Sequence, residues 1–196
     1  MSRMEIRITG YGGQGVVLSG YIIGKAKAIN AGQHATMIQS FGPEARGSAC
    51  SSTVVLSDKE ILYPYIRRPD VFIVMSGDGY EKFKDELKDD GILVHEADLV
   101  HPEPKPRQKQ YGVPSTRIAE QLGRSIIQNI VMLGFAAASA QFTSREEMRS
   151  AVKSSVPAGT EELNLKAFDA GWAYFEENYA AGKADQKGEA VAAPAV

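Results

Sequence analysis

The stretch RITGYGGQGVVLSG, residues 7–20, decides how the chain is read. Just before and within it, Ile6 and Ile8 alternate with polar neighbours over residues 4–9, which predicts a first strand ending at Gly10. Gly10, Gly12 and Gly15 then form a G-x-G-x-x-G. Residues 16–31 carry Val17, Leu18, Tyr21, Ile22 and Ala28 at helical spacing, up to a capping Gly32. Glycines between a strand and a helix permit a tight turn and let a phosphate approach the backbone. The helix start offers it free N–H groups and the positive end of the dipole. Gly12, Gly13, Gln14 and Gly15 are therefore candidate binding residues. Two readings stay open: a phosphate-bearing ligand, or a turn that only packs. The Gln14 amide favours the ligand, because turn chemistry does not need it.

Further along, residues 34–40 read as a second strand and 51–57 as a third, β-branched one. The apolar run VFIVM at 71–75 reads as a central strand covered on both faces. A charged helix over 79–88 and a short strand over 91–94 follow. Strands alternating with helical patterns predict βαβ units, hence a three-layer α/β domain with a mainly parallel sheet. The second strand holds no Asp or Glu, so the ribose-binding acid of a dinucleotide site is missing and NAD is disfavoured. Residues 102–112, rich in Pro, Lys and Gln, read as an exposed excursion. Pro114 and Ser115 open a helical region, and 126–138 (IIQNIVMLGFAAA) reads as a buried helix. Ser144 with Glu147 forms a capping box, and a last helix covers 160–179. Within it, Phe168, Trp172, Tyr174 and Phe175 form a stripe suited to the core or to a subunit contact. Residues 1–179 make one domain, and 180–196 are expected to be a disordered tail.

Composition narrows the function. The net charge of -2 gives no argument for a nucleic-acid partner. One cysteine, Cys50, makes no internal disulfide and cannot supply the four thiolates of an iron–sulfur cluster. No apolar run approaches the roughly 18 residues that suggest a membrane span, and no signal-peptide core is visible, so a cytoplasmic protein is expected. His34, His95 and His101 lack metal-ligand spacing, and no metal site is expected. Lys105, Arg107 and Lys109 form a small basic cluster that reads as a solvated loop.

A second segment, SFGPEARGSAC at 40–50, follows the second strand and so emerges at the same sheet edge as the glycine turn. Glu44 and Arg46 can pair with each other or with a partner chain, and Arg46 can face a phosphate. Taken together, GYGGQGVVLSG and SFGPEARGSACSSTVVLSD strongly resemble the gamma subunit of 2-oxoacid:ferredoxin oxidoreductases. RPDVFIVMS, GILVHEADLV, GVPSTRIAEQLG and NIVMLG fit that family too, so the resemblance covers nearly all of residues 4–179. Family members often read RGG where this chain has Arg46-Gly47-Ser48, which leaves that loop's detail open.

The resemblance implies a Rossmann-like fold and a place in a multi-subunit enzyme that oxidatively decarboxylates a 2-oxoacid to an acyl-CoA. Thiamine diphosphate and iron–sulfur clusters would sit on partner subunits, as the lone cysteine requires, with ferredoxin as electron acceptor or NAD through a flavin subunit. This chain would supply no covalent catalyst. It would help bind CoA through Gly12, Gly13, Gln14 and Gly15, with Arg46 on a phosphate or a neighbouring subunit. The PEARG form points to the 2-oxoglutarate-type branch, with aromatic and branched-chain 2-oxoacids still open. A purely structural subunit and a free-standing nucleotide-binding oxidoreductase are the alternatives.

Overall fold

In the computed structural model, which describes residues 3–40 and 49–180, six strands form one sheet. They are β1 (Arg3–Tyr11), β2 (His34–Ser40), β3 (Ala49–Ser57), β4 (Val71–Val74), β5 (Ile92–Glu96) and β6 (Lys109–Val113), in the spatial order β2-β3-β1-β4-β5-β6. β1, β4, β5 and β6 are mutually parallel. β3 runs against both β1 and β2, so β1 and β2 point the same way with a reversed strand between them. The reason is local. The link from β2 to β3 is too short for a parallel crossover, so the chain returns antiparallel and fills the place beside β1.

Among the described residues six α-helices flank the sheet, α1 (Val16–Lys25), α2 (Gly77–Phe83), α3 (Ser115–Gln121), α4 (Gln128–Ala140), α5 (Arg145–Lys153) and α6 (Glu161–Tyr179), with a 3-10 turn over Ser125–Ile127 leading into α4. Residues Ala26–Asn30 extend α1 as a π-helical turn. The two sheet faces are covered unequally. Ile6, Ile8, Val54, Leu56, Ile73 and Val94 point into a large core closed by α1 and α3–α6. Phe72, Val74 and Leu93 point to the other face, into a small cluster with Tyr80 of α2, Leu87 and Val100. The apolar run of β4 is thus buried on both sides, as its composition predicted.

α4 is apolar nearly all round because it lies inside the large core, and it packs closely on α6. Two glycines make that approach possible. A Cβ on Gly134 would lie 1.9 Å from the Phe168 carbonyl oxygen, and one on Gly171 would lie 2.0 Å from that of Val131. The aromatic stripe of α6 faces inward: Phe168 is fully buried, and Trp172, Tyr174 and Phe175 pack against the core. Ser144 and Glu147 form the expected capping box at the start of α5.

The excursion expected over 102–112 is corrected. Its second half is β6, paired with β5 from Lys109 to Val113. The proline-rich composition stops at Pro106, and Tyr111 and Val113 then alternate inward. The Tyr179 hydroxyl donates to the Gly112 carbonyl (3.0 Å) and accepts from its N–H (3.3 Å), tying the end of α6 to this edge strand. The tail expected over 180–196 lies, from residue 181 onward, outside the described residues. Among the described residues no helix is long and apolar enough to cross a membrane.

Candidate functional site

The glycine turn leaves β1 at the carboxyl edge of the parallel strands. The Gln14 N–H donates to the Tyr11 carbonyl (3.1 Å), closing a four-residue turn with Gly13 at φ 101°. Gly15, at φ 74°, precedes α1. Both are backbone states that side-chain-bearing residues rarely adopt. Gly12 and Gly13 face solvent, and a Cβ on Gly13 would meet nothing within 4 Å.

Gln14 is placed differently from the sequence expectation. Its Oε1 accepts from the Tyr11 N–H (2.6 Å) and its Nε2 donates to the Met75 carbonyl (3.1 Å). The side chain therefore bridges β1 to the residue just after β4. This is the crevice where the chain leaves β1 for one face of the sheet and β4 for the other, the usual ligand position in open α/β sheets. Across the same edge the Tyr11 hydroxyl donates to Asp78 Oδ2 (2.8 Å), and that bond holds the phenol above its ordinary range.

α1 itself begins with no side-chain cap and no acidic residue in its first turn. Among the described residues no side chain caps its first N–H groups, the condition under which a helix start binds an anion. Beneath the turn sits Asn129, in the first turn of α4 and 3% exposed. Its Nδ2 would lie 2.5 Å from a Cβ on Gly15, and that nitrogen has no hydrogen-bond partner. Sequence reasoning passed over Asn129; the available signal was a polar residue inside an otherwise apolar helix.

Arg46 and Glu44 lie outside the described residues. The two ends of their loop are placed, however: Ser40 pairs with Ser51, and Ala49 pairs with Tyr11 at the root of the glycine turn. The loop is thus anchored at the same edge as Gly12–Gly15. Cys50, next to it, is buried in the large core, and burial pushes its thiol up, so it packs as a small apolar residue.

Other polar groups at this edge serve the fold. Buried Glu96 accepts from the Thr116 N–H (3.0 Å), the Ser115 hydroxyl and the Asp98 N–H (3.3 Å), and so holds the start of α3. Burial lowers the His95 pKa to about 4, keeping the ring neutral. Lys105 and Arg107 lie at the opposite, amino edge, where with Arg68, Asp85 and Asp89 they line an open hollow of about 400 Å³. Arg68 and Lys105 are paired there with Asp89 (2.8 Å) and Asp85 (3.4 Å). Among the described residues no group of three His, Cys, Asp or Glu could hold a metal ion.

Comparison with known proteins places this geometry in a family. Residues 5–174 match the pattern described as Pyruvate ferredoxin/flavodoxin oxidoreductase. The chain is 43% identical over 178 residues to 2-oxoglutarate synthase subunit KorC of Methanocaldococcus jannaschii, covering 89% of this chain and 95% of that one. It is 36% identical to the gamma subunit of a keto/oxoacid ferredoxin oxidoreductase from Geobacter sulfurreducens, with a TM-score of 0.79 over 88% of this chain and 96% of that one. The same fold recurs in 2-oxoglutarate:ferredoxin oxidoreductase from Magnetococcus marinus, solved with 2-oxoglutarate, coenzyme A and succinyl-CoA bound. There the identity is 24% and the TM-score 0.81, over 90% of this chain and 32% of that one.

Proposed function

The chain belongs to the pyruvate ferredoxin/flavodoxin oxidoreductase family, and from that premise we propose that its glycine turn receives the CoA of a 2-oxoacid oxidation. It is a gamma-type subunit of a 2-oxoacid:ferredoxin oxidoreductase, an enzyme assembled from several subunits. The reaction converts a 2-oxoacid anion and CoA thiol into acyl-CoA and CO₂, releasing two electrons and one proton. Thiamine diphosphate and iron–sulfur clusters, carried by partner subunits in the cytoplasmic complex, supply the decarboxylation and the electron path. 2-Oxoglutarate is the substrate we assign, following the KorC relatives and the PEARG loop. Residues 1–179 form the working domain, with 180–196 an appendage to it.

The observation that carries the CoA assignment is the uncapped start of α1 behind the exposed Gly12–Gly13 backbone. A pyrophosphate seated there would take the N–H groups of Gly12, Gly13 and Gly15 and of the first helical turn, with Arg46 as a further phosphate partner or a contact to a neighbouring subunit. Introducing a carboxylate into the open space at Gly13 tests this directly. In the assembled complex, Gly13→Asp should raise KM for CoA about tenfold or more and leave KM for the 2-oxoacid unchanged. An unchanged KM for CoA would refute the assignment.

A second reading is favoured by Gln14, whose amide bonds within the chain at both ends. On it, the turn is a packing element and the subunit's task is assembly alone. Gly13→Asp would then reduce recovery of the complex while the complex that forms keeps its CoA affinity.

A further inference from the structure

Building on the CoA reading of the glycine turn, we infer that Asn129 belongs to the same anion site, as a carboxamide donor to the phosphoryl group of the ligand. Three observations converge on it. The Asn129 side chain fills the place that a side chain on Gly15 would occupy, directly beside the start of α1. An N-terminal capping side chain normally stands there and offers an oxygen to the first N–H groups. Here the group that faces Gly15 is the nitrogen, so a donor is added to donors and the N–H groups remain uncapped.

α4 differs from α1: a 3-10 turn over Ser125–Ile127 runs into it, and the Gln128 N–H donates to the Ser125 carbonyl. It starts at Gln128 with no side-chain cap and no acidic residue in its first turn, and it touches α1. The Thr116 hydroxyl donates to the Gln128 side-chain Oε1 (2.6 Å). The uncapped start of α1 and one buried carboxamide nitrogen thus meet as hydrogen-bond donors. An anion with several acceptor oxygens satisfies such a cluster, and a pyrophosphate is of that class. Asn129 Nδ2 is buried without a partner, a costly state in an apolar helix unless a ligand completes it. Gly15 explains how the two can meet: it has no side chain to screen the amide from an anion on the turn.

The test uses the assembled complex and two probes, CoA and inorganic pyrophosphate as its competitor. Asn129→Ala removes the donor, and Asn129→Asp keeps the shape but replaces donor with negative charge. KM for CoA should rise about tenfold for Ala and about a hundredfold for Asp, on the scale of a lost and a reversed charge-assisted bond. The inhibition constant of pyrophosphate should rise in parallel, while KM for the 2-oxoacid and kcat at saturating CoA stay level. If KM for CoA stays level in Asn129→Ala, or rises without a change in pyrophosphate inhibition, the inference is wrong. Should the Asp variant not assemble, Ala decides, since it only removes atoms. Gly13→Asp measured alongside separates the two claims. If it alone weakens CoA, the turn binds the ligand without Asn129; if none of the three variants does, both claims fall.

Discussion

Gly134 and Gly171 let two helices touch inside the core, whereas Gly13 and Gly15 let the backbone turn at a sheet edge, with open space around Gly13. At the crossing of α4 and α6, any Cβ would strike a carbonyl oxygen of the facing helix, and both helices are held by the same core. At the turn, φ rather than space makes glycine necessary at position 13, and at 15 the obstacle is the end of a side chain. The crossing is therefore a matter of stability, and the turn, on the function proposed above, a matter of binding. Substitutions should separate the two.

The largest loss is expected for Gly171→Ala or Gly134→Ala, about 3 kcal/mol or more, because backbone meets backbone and neither helix can yield. Urea unfolding should show it, and a loss below about 1 kcal/mol would mean that α4 and α6 slide apart easily.

Acid supplies a yardstick of similar size that involves neither glycine pair. His95 titrates at about 4 in the folded chain against 6.5 in the unfolded one. Protons therefore favour the unfolded state between those values. Stability is fully present above pH 6.5 and declines as pH falls toward 4, by up to about 3 kcal/mol. His95→Leu should flatten the urea midpoint over that range. A profile as steep as before would shift the acid effect to other groups.

Gly15→Ala comes next, at about 2 kcal/mol, from its left-handed backbone and the collision with Asn129. Asn129→Ala in the same chain should recover part of that loss, leaving only the backbone term. Smallest is Gly13→Ala, at about 1 kcal/mol, since only the backbone conformation opposes it. Its thermal midpoint should move little even where CoA affinity changes. A Gly13→Ala loss as large as that at Gly171 would erase the distinction.

What the sequence disclosed follows the same division. The glycine turn, the all-buried β4, the capping box and the helix after residue 160 all rest on neighbours close in the chain, and each was legible. β3 lying between β1 and β2 was not, because strand order depends on partners far apart in sequence. β6 was hidden by the prolines that precede it. The role of Gly134 and Gly171 is visible only when α4 and α6 are set against each other. Asn129 shows its partnerless nitrogen only when Gly15 is placed above it. Gln14 was singled out as a ligand contact, and its amide turns inward to Tyr11 and Met75.

That last bond sets an order of events during synthesis. Gln14 closes the turn by reaching a carbonyl 61 residues later in the chain. β1 gains its neighbours only when β3 and then β4 have been made. The glycine segment is thus made before the elements that hold it in shape. A chain that stops short of β4 lacks the Met75 carbonyl that fixes the turn.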